Sequence, residues 1–178
     1  MLKEMVFAGF GGQGVLSMGT LIAYAAMKEG KEVSWFPSYG PEMRGGTANC
    51  MVNVSDDKIS SPIDTEFDIA VVFNKPSLEK FEPKLKKGGI LIWESSHIKE
   101  GPTRKDIKAY AVPAIKTAAE KLENTKVMNM VAMGVLLKAD KIAKKDSVIT
   151  ALKETLPERH HHLLPLNKKA IDMGMDMF

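Results

Sequence analysis

The chain has 178 residues, of which 44% are hydrophobic, with a formal net charge of +3 and one cysteine. This length and composition predict a single domain over residues 1–178 with a core of ordinary size. Scattered basic residues disfavour a nucleic-acid partner. No run of about 18 apolar residues predicts a membrane span. A lone cysteine, and a first strand without a signal peptide ahead of it, favour a cytoplasmic protein.

Hydrophobic patterning predicts strands that alternate with helices along most of the chain. The predicted strands are 5–8, 32–36, 48–54, 68–73, 90–93 and 108–112. The predicted helices are 14–29, 77–86, 114–123, 126–138, 146–155 and 166–176, and the pair Gly88-Gly89 is expected to close the second helix. Such alternation is typical of a doubly wound parallel sheet. We therefore predict an α/β fold, a single-domain Rossmann-like three-layer sheet with C-terminal helices.

A glycine-rich loop follows the first predicted strand. Gly9, Gly11 and Gly14 satisfy the G-x-G-x-x-G pattern, with Gly12 and Gln13 between them. In dinucleotide-binding proteins this loop places a helix N-terminus against a pyrophosphate, with Gly11 at the position of close backbone approach. The second strand, however, ends without the acidic residue that grips a ribose hydroxyl. Close strand–helix packing and contact with a partner protein remain alternative functions for the loop.

A second dense segment follows the second predicted strand and is too polar and glycine-rich for a core element. It contains Ser38, Tyr39, Gly40, Glu42, Met43, Arg44, Gly45 and Gly46. Tyrosine, methionine and arginine are typical of interface cores. We favour a functional surface here over an exposed turn carrying a local Glu42–Arg44 ion pair.

The loops after the predicted strands are expected to meet at one edge of the sheet. Ligands and partners of open α/β sheets meet the carboxyl ends of the strands. If the strands are parallel, Asn74 lies at the same edge as the glycine loop and the 38–46 segment. That edge is the predicted functional surface.

Other residue patterns give little support for catalysis. Cys50 lies in a predicted strand, where a small buried hydrophobe is the default. The run 160–162 holds three of the four histidines and favours a loop or helix start over a metal site. The segment 128–137 is apolar on nearly every side, so it is either core or covered by a partner, and the methionine-rich tail favours docking. We assign no catalytic residue and no metal ligand.

Two strings carry a resemblance to a known family. Residues 9–15 read Gly-Phe-Gly-Gly-Gln-Gly-Val, and residues 38–50 read Ser-Tyr-Gly-Pro-Glu-Met-Arg-Gly-Gly-Thr-Ala-Asn-Cys. Together with 74–78 and 161–167, they resemble the gamma subunit of 2-oxoacid:ferredoxin oxidoreductases over nearly the whole chain. The Met-Arg-Gly-Gly-Thr form is most similar to the 2-oxoglutarate type, and pyruvate and indolepyruvate relatives share parts of it.

The resemblance implies a non-autonomous subunit that works with alpha, beta and ferredoxin-like delta subunits, with ferredoxin as electron acceptor. The assembled complex would convert a 2-oxoacid to an acyl-CoA with thiamine diphosphate, Mg, iron–sulfur clusters and coenzyme A. One cysteine cannot hold a cluster that needs four thiolates, and the chain lacks a thiamine diphosphate motif. We therefore expect this chain alone to hold none of these cofactors. A stand-alone nucleotide-binding protein is the alternative.

Overall fold

A six-stranded sheet forms the centre of the computed structural model, which describes residues 1–40 and 45–178. The strands are β1 Leu2–Phe10, β2 Glu32–Tyr39, β3 Thr47–Ser55, β4 Phe67–Val72, β5 Leu85–Glu94 and β6 Lys108–Val112. Their order across the sheet is β2-β3-β1-β4-β5-β6. Every predicted strand is present, and each except β4 and β6 extends further than predicted because local pattern does not define where pairing ends.

The helices follow the predicted order closely. They are α1 Val15–Lys28, α2 Lys75–Phe81, α3 Ala114–Leu122, α4 Met128–Ala139, α5 Lys145–Thr155 and α6 Leu164–Met175. The second helix ends five residues before the predicted boundary, and Pro83, which lacks an N–H donor, lies just beyond it in a short 3-10 turn. Gly88 and Gly89 do not close that helix. They lie inside β5, where a Cβ on Gly89 would lie 3.0 Å from the Asp68 carbonyl oxygen.

The sheet is mixed, which differs from the parallel sheet that we predicted. β1, β4, β5 and β6 run parallel, but β3 pairs antiparallel with β1 and β2 pairs antiparallel with β3. A hairpin connects β2 to β3 where a doubly wound sheet would have a helical crossover. Because β2 runs in the same direction as β1, its carboxyl end still lies at the edge where β1, β4 and β5 end.

Helices cover the two faces of the sheet unequally. The larger core packs α1 and α3–α6 against one face, with Met5, Phe7, Val71 and Ile92 contributed by the sheet. On the other face, α2 and the segment 95–107 cover a smaller core around β1, β4 and β5. This face is open beyond β1, where Phe10 and Phe36 are 38% and 41% exposed. We call Phe10, Phe36, Ser38 and Met51 the open face.

The outer strand β2 carries a proline at a position whose backbone nitrogen points away from β3. The Gly40 N–H donates to the Thr47 carbonyl, so alternate residues of β2 direct their N–H groups towards β3. Pro37, three residues earlier, falls on the outer edge. A proline is tolerated there because no ladder hydrogen bond is lost.

The methionine-rich helix α4 is part of the core. All residues from Met128 to Leu137 are buried, and the helix packs closely on α6. The crossing depends on two glycines, because a Cβ on Gly134 would overlap the Ile171 carbonyl oxygen and one on Gly174 would overlap the Val131 carbonyl oxygen. Of the two interpretations for 128–137, the structure supports core packing.

Candidate functional site at the carboxyl edge of the sheet

The glycine loop joins β1 to α1 in a conformation that requires two of its glycines. Gly12 has a φ of 99° and Gly14 a φ of 77°, both in the region that favours glycine. Gly14 is also crowded, because a Cβ there would overlap the Asn129 side chain. Gly11, which the motif places at the point of close approach, does not have a positive φ, so strain from a left-handed backbone does not apply there.

The glycine loop directly contacts the end of the loop that connects β2 to β3. The Gly11 N–H donates to the Gly46 carbonyl oxygen at 2.8 Å. A dinucleotide-binding loop would offer such a donor to a pyrophosphate, but here the hairpin already occupies it. This contact brings together the two segments that the sequence singled out, although they are more than 30 residues apart.

Gln13 and Asn74 are used within the fold. The Gln13 Oε1 accepts from the Phe10 N–H at 2.7 Å, and its Nε2 donates to the Phe73 carbonyl at 3.4 Å. The Asn74 Oδ1 accepts from the Ser77 N–H at 2.8 Å and so caps α2, and Asn74 is buried. Its Nδ2 is buried without a partner among the described residues. Both side chains therefore position the edge rather than project from it.

The other predicted site residues lie in three environments. Tyr39 is 53% exposed at the end of β2, and Ser38 lies on the open face. An added Cβ on Gly40 or Gly45 would meet no atom of the described residues within 4 Å. Gly9 is packed tightly, with an added Cβ only 3.1 Å from side-chain atoms of Phe73 and Val15. Glu42, Met43 and Arg44 lie outside the residues that the structure describes.

A cavity of about 320 Å³ opens between the glycine loop and the end of β2. It is lined by Phe10, Gly11, Gly12, Gly14, Val15, Leu16, Ser17, Tyr39 and Ala48. The first turn of α1 thus borders the cavity with backbone N–H groups, which attract anionic or carbonyl oxygens. Tyr39 is the only lining side chain that can ionise, so among the described residues this cavity suits binding better than acid–base catalysis.

A larger, mostly apolar groove of about 500 Å³ continues from this cavity past Gly14, Leu16 and Ser17. Trp35 and Asn129 line it, and neither was predicted as a site residue. The Asn129 Nδ2 donates to the Gly14 carbonyl at 3.4 Å, which ties α4 to the glycine loop. The sequence offered one sign of this role, because Asn129 is a polar residue within the apolar run 128–137.

Cys50 is not suited to chemistry. The side chain is buried beneath α1, and burial raises the pKa of its thiol to about 12, a shift that hydrogen bonds to Trp35 and Gly19 only partly oppose. The thiol is therefore protonated at physiological pH and is neither a nucleophile nor a cluster ligand.

The histidine run forms part of a short 3-10 helix, Glu158–Leu163. A ring nitrogen of His161 lies 2.8 Å from the Leu156 carbonyl oxygen, which is a structural contact. Across 1–40 and 45–178, no group of three or more histidine, cysteine, aspartate or glutamate side chains is arranged to hold a metal ion. In the same ranges no helix is long and apolar enough to cross a membrane.

Comparison with known proteins identifies the family. The pyruvate ferredoxin/flavodoxin oxidoreductase family matches residues 4–177. The chain belongs to this family. It is 36% identical over 174 residues to the ketoisovalerate oxidoreductase subunit VorA of Methanothermobacter marburgensis, covering 95% of this chain and 35% of that protein. The chain thus spans about a third of the length of this relative.

Two solved structures share the fold at 29% identity. The gamma subunit of a keto/oxoacid ferredoxin oxidoreductase from Geobacter sulfurreducens PCA has a TM-score of 0.83 over 98% of this chain and 96% of that chain. The 2-oxoglutarate:ferredoxin oxidoreductase from Magnetococcus marinus, solved with 2-oxoglutarate, coenzyme A and succinyl-CoA, has a TM-score of 0.88 over 98% of this chain and 30% of that chain. The predicted fold class and the predicted resemblance are confirmed.

Proposed function

We propose that this chain is the gamma subunit of a 2-oxoacid:ferredoxin oxidoreductase and that the complex acts on 2-oxoglutarate. The family match over 4–177 carries the subunit assignment. The Magnetococcus enzyme and the Met-Arg-Gly-Gly-Thr string at 43–47 support 2-oxoglutarate, whereas the VorA relative makes ketoisovalerate the substrate to test against it.

The lengths of the relatives support separate partner subunits. In VorA and in the Magnetococcus enzyme, the region similar to this chain makes up about a third of a longer polypeptide. In the Geobacter protein it is nearly the whole chain. We infer that alpha and beta chains, with a ferredoxin-like delta chain, supply the remainder of the complex and pass electrons to ferredoxin.

We assign thiamine diphosphate, Mg, the iron–sulfur clusters and coenzyme A to the assembled complex and none of them to this chain alone. The single thiol is buried and protonated, so it does not fit a cluster that requires four thiolates. Among the residues that the structure describes, the lining of the cavity beside the glycine loop also has none of the carboxylates that hold Mg in proteins.

The docking surface that we propose combines the carboxyl edge with the open face. Glycine-loop and hairpin residues lie next to the exposed Phe10 and Phe36, and apolar patches of this kind mark protein contacts. The hydrogen bond from Gly11 to Gly46 supports this assignment over the stand-alone nucleotide-binding alternative. It occupies an N–H group that would otherwise bind a phosphate, and it holds the β2–β3 loop against the glycine loop.

The proposal is tested by reconstitution. We expect the purified chain to show no oxidation of 2-oxoglutarate with coenzyme A, thiamine diphosphate, Mg and a dye acceptor. Co-expression with alpha, beta and delta chains from the same source should yield a complex that contains this chain and oxidises 2-oxoglutarate faster than ketoisovalerate or pyruvate. Turnover by the chain alone would contradict the subunit assignment, and a preference for ketoisovalerate would contradict the substrate.

Arg44 gives a sharper test of the interface. An arginine in a glycine-rich loop can contact a partner carboxylate with two hydrogen bonds, so Arg44→Ala should weaken assembly while leaving the isolated chain folded. Loss of a buried interfacial charge pair costs on the order of 2–5 kcal/mol. Arg159→Ala is the matched control, because Arg159 is exposed and lies outside the proposed docking surface. If Arg44→Ala co-purifies with the partner chains as well as the wild type does, Arg44 is not part of the interface.

A further inference from the structure

A polar pocket lies at the amino edge of the sheet, opposite the glycine loop. The segment 56–66, which connects β3 to β4, covers a volume of about 360 Å³ against β1 and β3. Asn53 of β3 fastens this segment: its Nδ2 donates to the Asp64 Oδ1 at 3.1 Å and to the Ser61 carbonyl at 3.3 Å. Asn53 is 1% exposed, so this attachment is shielded from solvent.

Two carboxyl groups meet in this pocket. Glu4 of β1 stands directly opposite Asn53 in the sheet register, and its carboxyl group lies within hydrogen-bonding reach of the Asp64 carboxyl group. Two ionised carboxylates have no proton to donate. Consistent with this, the Asp64 Oδ2 is buried and has no donor among the described residues.

The surrounding charges do not neutralise both carboxylates. The Lys86 ammonium of β5 bonds to Glu4 and also to the Asp68 Oδ2 of β4, the latter at 2.9 Å. One cation therefore serves three carboxylates at the base of the pocket. Lys58 and Glu66, of opposite charge, line it from the segment itself. A proton on Asp64 removes one of these negative charges and supplies a donor to Glu4.

We propose that protonated Asp64 donates a hydrogen bond to Glu4 and that this hydrogen bond latches segment 56–66 onto the sheet. Loss of the proton leaves two adjacent negative charges, which repel each other and release the segment. Release exposes Asn53 and enlarges the open face, which lies on the same side of β1 and β3. This inference does not depend on the proposed function.

The direction of the pH dependence follows from the pKa of Asp64. Burial, followed by the charge of Glu4, raises this pKa from 3.8 to about 6, although the hydrogen bond from Asn53 opposes the shift. A carboxyl whose pKa is raised in the closed form stabilises that form at low pH, and the stabilisation is lost as the pH rises through about 6. The ratio of closed to open segment should therefore fall about tenfold between about pH 5 and pH 7.5.

Hydrogen exchange of the full chain tests the latch. The reporter is the Asn53 side-chain amide, which is buried and donates to Asp64 and Ser61. Its protection factor, which removes the intrinsic pH dependence of exchange, should fall about tenfold over this pH range, while the protection factors of the β4 backbone amides stay constant. Asp64→Asn should keep the Asn53 side-chain amide protected at both pH values. The new side-chain amide at position 64 can donate to Glu4 and does not titrate. Asp57→Asn, an exposed change in the same segment, should behave as the wild type.

A second variant keeps the test decisive if Asp64→Asn folds poorly. Glu4→Gln removes the neighbouring charge and supplies a donor to Asp64, so it should weaken the pH dependence, leaving only the part that burial of Asp64 causes. Wild-type protection that does not change with pH, or an unaltered pH dependence in a folded Asp64→Asn or Glu4→Gln variant, would overturn the proposal. NMR titration of the Asp64 carboxyl group provides an independent readout, and titration of Asp64 entirely below pH 5 would also overturn the proposal.

Discussion

At the scale of single residues, the glycine loop distinguishes two reasons for requiring glycine. Gly12 and Gly14 both have positive φ. An added Cβ on Gly12 would meet none of the described residues, whereas one on Gly14 would meet the Asn129 side chain. Substitution of Gly12 should destabilise the chain through backbone strain alone, and substitution of Gly14 through strain and crowding together. The G-x-G-x-x-G pattern includes Gly14 but not Gly12, so the motif alone does not identify both constrained positions.

We expect Gly12→Ala to destabilise the chain by about 1–2 kcal/mol, the cost of a left-handed backbone at a residue with a Cβ. Gly14→Ala should cost about 1–3 kcal/mol more, because overpacking adds to the strain. Urea denaturation of both variants measures the difference. Gly40→Ala is the control, since Gly40 has no positive φ and an added Cβ there would meet no atom of the residues in 1–40 and 45–178 within 4 Å. Equal losses for Gly12→Ala and Gly14→Ala would show that Asn129 moves aside without cost.

Cys50 provides a second prediction at this scale. Because the thiol is buried and its pKa is about 12, a maleimide should label the native protein only as fast as the chain unfolds, and labelling should be rapid in urea. Mass spectrometry over time measures this directly, since the chain has one cysteine. Complete labelling of the folded protein within minutes would contradict the buried position.

At the scale of secondary-structure elements, the crossing of α4 and α6 is the most demanding contact in the helical layer. Backbone atoms of each helix occupy the space where a Cβ on Gly134 or Gly174 would lie. The helices can approach this closely only while both positions lack side chains. In the sequence these glycines interrupt helical patterns and carry no other sign of their role.

Gly134→Ala should therefore destabilise the chain by about 2–3 kcal/mol, the upper range for overpacking, and lower the melting temperature by roughly 5–10 °C. Lys138→Ala, an exposed change on the same helix, should leave the melting temperature nearly unchanged. Differential scanning calorimetry compares the two variants. A melting temperature of Gly134→Ala within 1–2 °C of the wild type (less than roughly 1 kcal/mol) would mean that the helices separate at little cost.

How far the sequence predicts these elements depends on how local their causes are. The order of β1, the glycine loop and α1 was predictable because hydrophobic runs and glycines within 30 residues determine it. The direction of β3 was not, because it follows from pairing with β1, whose partner residues lie up to 53 positions away, as for Leu2 and Ser55. The Gly11–Gly46 hydrogen bond and the Asn129–Gly14 contact are likewise products of tertiary packing.

At the scale of the whole molecule, the distribution of helices leaves one sheet face partly uncovered. α1 and α3–α6 cover one side, but on the other side the open face begins beyond β1. In a subunit of a larger complex, this asymmetry is expected where a partner completes the third layer. The open face adjoins the edge that carries the glycine loop, so one partner surface can contact both.

Phe36→Ser should then weaken co-purification with the partner subunits by at least tenfold in apparent affinity while changing the melting temperature little, because Phe36 is already 41% exposed. Met27→Ser is the matched control, since Met27 is 59% exposed on α1 in the opposite layer. Pull-down of tagged gamma variants with co-expressed partners measures the effect. Equal recovery of both variants would place the interface elsewhere.

The proline on the outer edge of β2 affects how readily the isolated chain aggregates. A bare edge strand with exposed aromatic residues invites a strand from another molecule, which leads to aggregation. Pro37 removes one N–H from the row that such a strand would need, in the middle of the edge. Pro37 therefore hinders strand addition at the β2 edge, while the exposed side chains of the open face stay available for the docking proposed above.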